Sequence, residues 1–201
     1  KLFVKSKHAV ASNSATSSLI LACLALGIKK NDIVWTSPNS FVSTANCAVH
    51  CGAKIDFVDI DKNTFNISIE KLKIKLIKAK KANKLPKLII PVHFAGNPCD
   101  MKEIFKLSKI YKFKILEDAS HALGSKYNGH LIGSCKYSDV CVFSFHPVKS
   151  ITTGEGGMGL TNNKNIFNKM KLYSIHGIEK KKSNTSWLYE QKVLGYNFRM
   201  S

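Results

Sequence analysis

With 201 residues, 44% of them apolar and 22% charged, the chain can bury one substantial core, as a single domain or as one domain and part of another. No apolar run is long enough to cross a bilayer, and Lys1-Leu2-Phe3-Val4-Lys5 lacks the apolar stretch of a signal peptide, so a cytoplasmic location without a membrane partner is expected. The formal net charge of +18 raises nucleic acid as a partner, but Arg199 is the sole arginine, and bidentate phosphate and base-edge contacts favour Arg, so nucleic acid is not the expected partner.

In chain order, a strand is predicted over 7–12, followed by Asn13-Ser14-Ala15-Thr16-Ser17-Ser18 and a helix over 19–26 that stops at Gly27. Small hydroxyl residues at a helix start either cap it or leave its free N–H groups and positive dipole end to an anion. A strand over 32–37, a helix over 41–50 stopped by Gly52, and a strand over 53–58 come next. Asp59 and Asp61 read as turn and cap residues rather than metal ligands. Residues 71–81 fit an amphipathic helix with a solvated lysine face.

Further strands are predicted over 87–93, 113–117 and 140–143, and Asp100 caps a helix over 101–111. This alternation, without internal repeats, predicts an α/β architecture with a mostly parallel central sheet. The six cysteines, Cys23, Cys47, Cys51, Cys99, Cys135 and Cys141, form no C-x-x-C pair, and several lie in apolar stretches; buried free thiols are expected, and no metal site.

Open parallel sheets bind ligands at the carboxyl ends of their strands. Polar residues gather at three such places: Ser14-Ala15-Thr16, Asp118-Ala119-Ser120-His121, and Ser144, His146 and Lys149. Lys149 lies between an apolar strand and a Gly-rich turn, where lost hydration disfavours the ammonium and frees the amine as a nucleophile. It is either a Schiff-base lysine or a loop lysine directed at solvent. Asp118, after Ile115-Leu116, needs a cationic or donor partner. The ring nitrogen of pyridoxal 5'-phosphate would supply one, with Lys149 as the covalent anchor and the Ser14-to-Thr16 helix start holding the phosphate.

The chain resembles the DegT/DnrJ/EryC1/StrS sugar aminotransferases, within the fold-type I pyridoxal-phosphate enzymes. The resemblance lies in Asn13-Ser14-Ala15-Thr16, Phe41-Val42-Ser43-Thr44-Ala45-Asn46, Phe57-Val58-Asp59-Ile60-Asp61, Pro91-Val92-His93-Phe94-Ala95-Gly96, Glu117-Asp118-Ala119-Ser120-His121-Ala122-Leu123-Gly124, the stretch from Phe143 to Gly157, and Leu194-Gly195-Tyr196-Asn197-Phe198-Arg199-Met200. It implies that residues 1–201 are the cofactor-binding large domain of an incomplete chain, with the small C-terminal domain missing.

The resemblance also implies the residue roles. Lys149 carries the cofactor, Asp118 pairs with its ring nitrogen, and Ala15, Thr16 and Ser144 hold its phosphate. Phe41 stacks on the ring, His121 faces it where relatives often carry Gln, and Asn197 reaches across a homodimer to the partner's phosphate. The segments look most like the branch that moves an amino group from L-glutamate to C4 of a UDP-4-keto-6-deoxy-N-acetylhexosamine, making a precursor of pseudaminic acid for polysaccharide biosynthesis. Amination at C3, dTDP- or GDP-sugar substrates, and a non-catalytic binding or regulatory protein on the same fold are the alternatives. Some relatives are sugar dehydratases, of which the best-known kind replaces the lysine with His, and Lys149 is present.

Overall fold

The protein, seen in a computed structural model, is described for residues 1–180 and 188–200. Strands and helices alternate from the start: β1 (His8–Ser12), α1 (Ala15–Ala25), β2 (Ile33–Thr36), α2 (Ser43–His50), β3 (Lys54–Phe57), α3 (Ile69–Lys81), β4 (Leu88–Ile90), α4 (Met101–Tyr111) and β5 (Lys114–Asp118). The hairpin β6 (Lys126–Tyr127) and β7 (His130–Leu131), then β8 (Val140–Ser144), β9 (Gly157–Thr161), α5 (Lys164–Ser174) and the pair β10 (Ile178–Lys180) and β11 (Tyr189–Gln191) complete the order.

Seven strands form one sheet in the order β1-β9-β8-β5-β4-β2-β3. From β3 to β8 every neighbouring pair is parallel, and β9 runs antiparallel between β8 and β1. The mostly parallel α/β sheet is therefore as the strand–helix alternation predicts. Strand β9 is not among the expected elements: its sequence, Gly157-Met158-Gly159-Leu160-Thr161, carries no β-branched alternation. Its direction follows from the connection, because no helix intervenes between β8 and β9 and a parallel return would need a crossover.

The period-2 alternation of the strands sends Leu88, Ile90 and Leu116 to one face of the sheet and Ile89 and Ile115 to the other. On the first face lies α1, which packs against α2, α5 and β9 and is buried almost all round, as its apolar stretch from Leu19 to Ala25 requires. On the second, Leu72, Leu76 and Ala79 of α3 meet Ile104 and Leu107 of α4. Each buried leucine contributes about 1.5–3 kcal/mol. The lysines of α3 stay outside, as its spacing predicts.

Helix starts differ from the periodicity reading in an informative way. The expected start of α1 at residue 19 is late by a full turn: the Ser14 hydroxyl accepts the Ser17 N–H at 3.1 Å, so Ala15, Thr16, Ser17 and Ser18 are the first turn rather than its lead-in. Helix α2 begins at Ser43 and leaves Phe41 outside it. Asp100 caps α4 as predicted, accepting from the Glu103 N–H at 3.3 Å. The β6–β7 hairpin is also absent from the expectations, although Asn128-Gly129, both at positive φ, is a type I′ turn pair.

Asp61 accepts the N–H groups of Asn63 and Thr64, and Asp59 pairs with Lys71, so both are turn and surface residues. All six cysteines are free thiols, five of them buried and Cys51 half-buried. Burial pushes the Cys135 and Cys141 thiols up, which keeps them protonated and unreactive. Among the described residues no helix is long and apolar enough to cross a membrane.

Candidate active site

At the carboxyl ends of β4, β5 and β8, closed on one side by the first turns of α1 and α2, lies a cavity of about 440 Å³. Every candidate residue named from the sequence except Asn197 lines it: Ser14, Ala15, Thr16, Phe41, Asp118, His121, Ser144 and Lys149.

One end of the cavity is the start of α1. Ser14 spends its hydroxyl on the Ser17 N–H, while Ala15 and Thr16 occupy the first two helical positions, whose N–H groups have no intrahelical acceptor. These N–H groups and the positive dipole end make an anion site. The Thr16 and Ser43 hydroxyls, 2.8 Å apart, tie the starts of α1 and α2 together. Beneath the turn lies Gly157 of β9, where a Cβ would stand 2.3 Å from the Ser14 carbonyl carbon and oxygen and 2.4 Å from the Ala15 nitrogen. Only glycine allows this approach, and Gly157 is a position that periodicity does not single out.

Asp118 ends β5 and is buried, 5% exposed. Its donors among the described residues are the Ser120 N–H at 3.2 Å and hydroxyl at 2.6 Å on Oδ1, and the Thr44 hydroxyl at 2.6 Å on Oδ2. A buried carboxylate held only by neutral donors is suited to a cationic ligand. Ser144 is buried at the end of β8.

Lys149 sits in the loop between β8 and β9, closed at its base by the Phe145 N–H to Gly156 carbonyl bond (2.9 Å) and by the Thr152 hydroxyl on the Phe145 carbonyl (2.9 Å). The lysine is half-buried, so the expected loss of hydration is partial. Its Nζ lies 2.6 Å from His121 Nε2. Burial, and then the Lys149 charge, hold the His121 imidazole below its ordinary range, with Asp118 opposing them. A neutral ring presents its Nε2 lone pair to the ammonium, and that contact fixes the lysine over the cavity.

Phe41 is 75% exposed at the cavity rim, a free aromatic face beside the opening. Asn197 is exposed and bridged to Ile175, outside the cavity of its own chain. Its neighbour Phe198 accepts the Asn13 N–H at 2.9 Å, which ties the segment to the approach of α1.

Behind the cavity lining, to which His93 belongs, buried His93 and Glu117 pair at 2.8 Å, and Ser138 donates to the other Glu117 oxygen. Burial disfavours charge on His93 and Glu117 favours it, but the Cys99 N–H aimed at Nδ1 (3.1 Å) leaves that nitrogen no room for a proton. His93 is thus the neutral tautomer, donating from Nε2. Because the His93 backbone N–H donates to the Asp118 carbonyl at 3.0 Å, the segment after β4 is locked to β5 where Asp118 leaves the sheet. His93→Ala is expected to cost about 1.5–3 kcal/mol by removing a neutral donor from a buried carboxylate, read as a lower urea midpoint; an unchanged midpoint contradicts that role.

Three comparisons bear on this site. The profile of the DegT/DnrJ/EryC1/StrS aminotransferase family matches residues 1–201. The chain is 47% identical over 199 residues to the UDP-4-amino-4,6-dideoxy-N-acetyl-beta-L-altrosamine transaminase of Campylobacter jejuni, covering 99% of this chain and 50% of that one. It is 44% identical over 204 residues to the uncharacterized protein MJ1066 of Methanocaldococcus jannaschii, covering 99% and 51%. Among solved structures, Helicobacter pylori PseC, an aminotransferase involved in the biosynthesis of pseudoaminic acid, superimposes with a TM-score of 0.86 at 37% identity, over 99% of this chain and 51% of that one. The chain spans about half the length of the curated relatives it matches.

Proposed function

Since the chain belongs to the DegT/DnrJ/EryC1/StrS aminotransferase family, we propose that it is the cofactor-binding large domain of a pyridoxal-phosphate-dependent nucleotide-sugar aminotransferase. The observation that carries this reading is the convergence of one amine, one buried carboxylate and one helix N-terminus on a single cavity. The amino donor is L-glutamate. The acceptor is a UDP-4-keto-6-deoxy-N-acetylhexosamine, aminated at C4, a choice supported by the Campylobacter jejuni and Helicobacter pylori relatives. The enzyme works in the cytoplasm as a homodimer, with Asn197, which lies outside its own cavity, completing the partner's phosphate site.

The residues fit the cofactor. Asp118 has neutral donors and lacks a cation among them, and the Ala15 and Thr16 N–H groups stand free of intrahelical acceptors. Lys149 would anchor the cofactor through Nζ, Asp118 would hold the ring nitrogen, Ala15, Thr16 and Ser144 the phosphate, and Phe41 and His121 the ring. Once bound, the cofactor supplies an electron sink and a carrier for the amino group.

The protein's own work is proton transfer and placement. Lys149 Nζ takes the proton from the Cα of glutamate in the first half-reaction and delivers one to C4 of the sugar in the second. Which face of C4 receives it depends on where Nζ is held, and His121 Nε2 is the group that holds it. Asp118 would favour a proton on the ring nitrogen by accepting its hydrogen bond.

The test is borohydride reduction of the full-length protein with pyridoxal phosphate, followed by peptide mass mapping. Label on Lys149 is expected. Absence of label there leaves a non-catalytic binding protein as the reading.

A further inference from the structure

We infer that Thr44 is a positioning residue for the reaction: its hydroxyl orients the Asp118 carboxylate so that Oδ2 keeps one open lone pair for the cofactor's ring nitrogen. This inference rests on the function proposed above. Thr44 is the second residue of α2 and is 1% exposed. Its backbone carbonyl accepts from the Cys47 thiol at 3.2 Å, and its hydroxyl lies 2.6 Å from Asp118 Oδ2 and 2.6 Å from the Ser40 hydroxyl.

A hydroxyl has a single hydrogen to give. Because an ionised carboxylate only accepts, the Thr44 hydrogen goes to Asp118, and the Ser40 contact is made by Ser40 donating to Thr44. The result is a directed chain from Ser40 to Thr44 to Asp118. An ionised carboxylate offers about four lone-pair positions, two on each oxygen. Ser120 fills both on Oδ1 with its N–H and hydroxyl, and Thr44 fills one on Oδ2. The remaining position is on Oδ2, so Oδ2 is the atom that meets the ring nitrogen.

Removing the Thr44 donor has two consequences. The carboxylate loses a bond that favours its charged form, and Oδ2 loses what stops it from turning. The proton shared between Asp118 and the ring nitrogen then spends less time on nitrogen, and the ring accepts electrons less well.

The experiment compares Thr44→Val and Thr44→Ser with the parent in the full-length holoenzyme, loaded with cofactor carrying 15N at the ring nitrogen. The readouts are the 15N chemical shift and the single-turnover rate with L-glutamate. Thr44→Val is expected to move the 15N shift toward that of an unprotonated pyridine and to slow the half-reaction about 10- to 100-fold, with Lys149 still labelled by borohydride. Thr44→Ser restores both. A parent-like shift and rate in Thr44→Val, or a Thr44→Ser variant that behaves as Thr44→Val, overturns the inference. If Thr44→Val does not fold, Ser40→Ala, which removes the donor to Thr44, must move the 15N shift the same way by a smaller amount, and no movement overturns it. A parent protein without label on Lys149 counts against the proposed function, whereas a labelled parent with an indifferent Thr44→Val counts against this inference alone.

Discussion

Lys149→Ala is expected to abolish turnover, with both half-reactions falling by about 10⁴-fold or more. General acid–base transfer alone accounts for about 10²–10⁴, and loss of the covalent anchor adds to it. The variant takes no borohydride label, while its far-UV circular dichroism and melting temperature stay with the parent. That separation has a structural reason: the side chain is half-buried in a loop whose backbone bonds, including the Lys149 N–H on the His146 carbonyl at 3.0 Å, do not involve the amine. A small primary amine added to the solution recovers part of the first half-reaction by taking the proton in place of Nζ. Parent-like turnover in Lys149→Ala would sink the assignment.

Gly157→Ala is the second large effect, and its origin is steric. The added methyl would stand 2.3 Å from the Ser14 carbonyl group and 2.4 Å from the Ala15 nitrogen, and both are backbone, so no flexible side chain can give way. Gly157 also pairs with Ser12 on one side and Ser144 on the other, which prevents β9 from retreating. The start of α1 must move instead, and the Ala15 and Thr16 N–H groups move with it. A stability loss of about 1–3 kcal/mol from overpacking and a cofactor dissociation constant raised about 10- to 100-fold for each displaced charge-assisted hydrogen bond are expected. Thermal melting and a spectroscopic titration with pyridoxal phosphate measure the two. Gly129→Ala serves as the comparison: its φ of +75° makes it strained, but nothing stands within 4 Å of its added Cβ, so it costs stability without changing cofactor affinity. Equal affinities in Gly157→Ala and the parent would refute the steric role.

The two positions differ in how they can be found. Lys149 announces itself, since a lysine between an apolar strand and a Gly-rich turn is chemically out of place, and Asp118 does the same after Ile115-Leu116. Gly157 is one of twelve glycines, and although it ends a segment that resembles the family, nothing in its local periodicity tells of the α1 start that lies above it. Thr44 is similar: it belongs to a segment that resembles the family, but its bond to Asp118 spans 74 residues of sequence. His93 and Glu117 look like ordinary strand-end residues until β4 and β5 are laid side by side.

By itself the sequence determined the alternation of elements, the cap of Asp100, the lysine-rich outer face of α3, and the strand-end positions of Ser14, Asp118, Ser144 and Lys149. These depend on local backbone preference, side-chain chemistry and the spacing of apolar residues, all of which act within a turn or a strand. The tertiary structure alone decided the place and direction of β9, the approach of Ser14 to Gly157, the hydroxyl chain from Ser40 through Thr44 to Asp118, and the exclusion of Asn197 from its own cavity. Each of these is a contact between segments distant in sequence, and its energy exists only once the sheet order has brought those segments together.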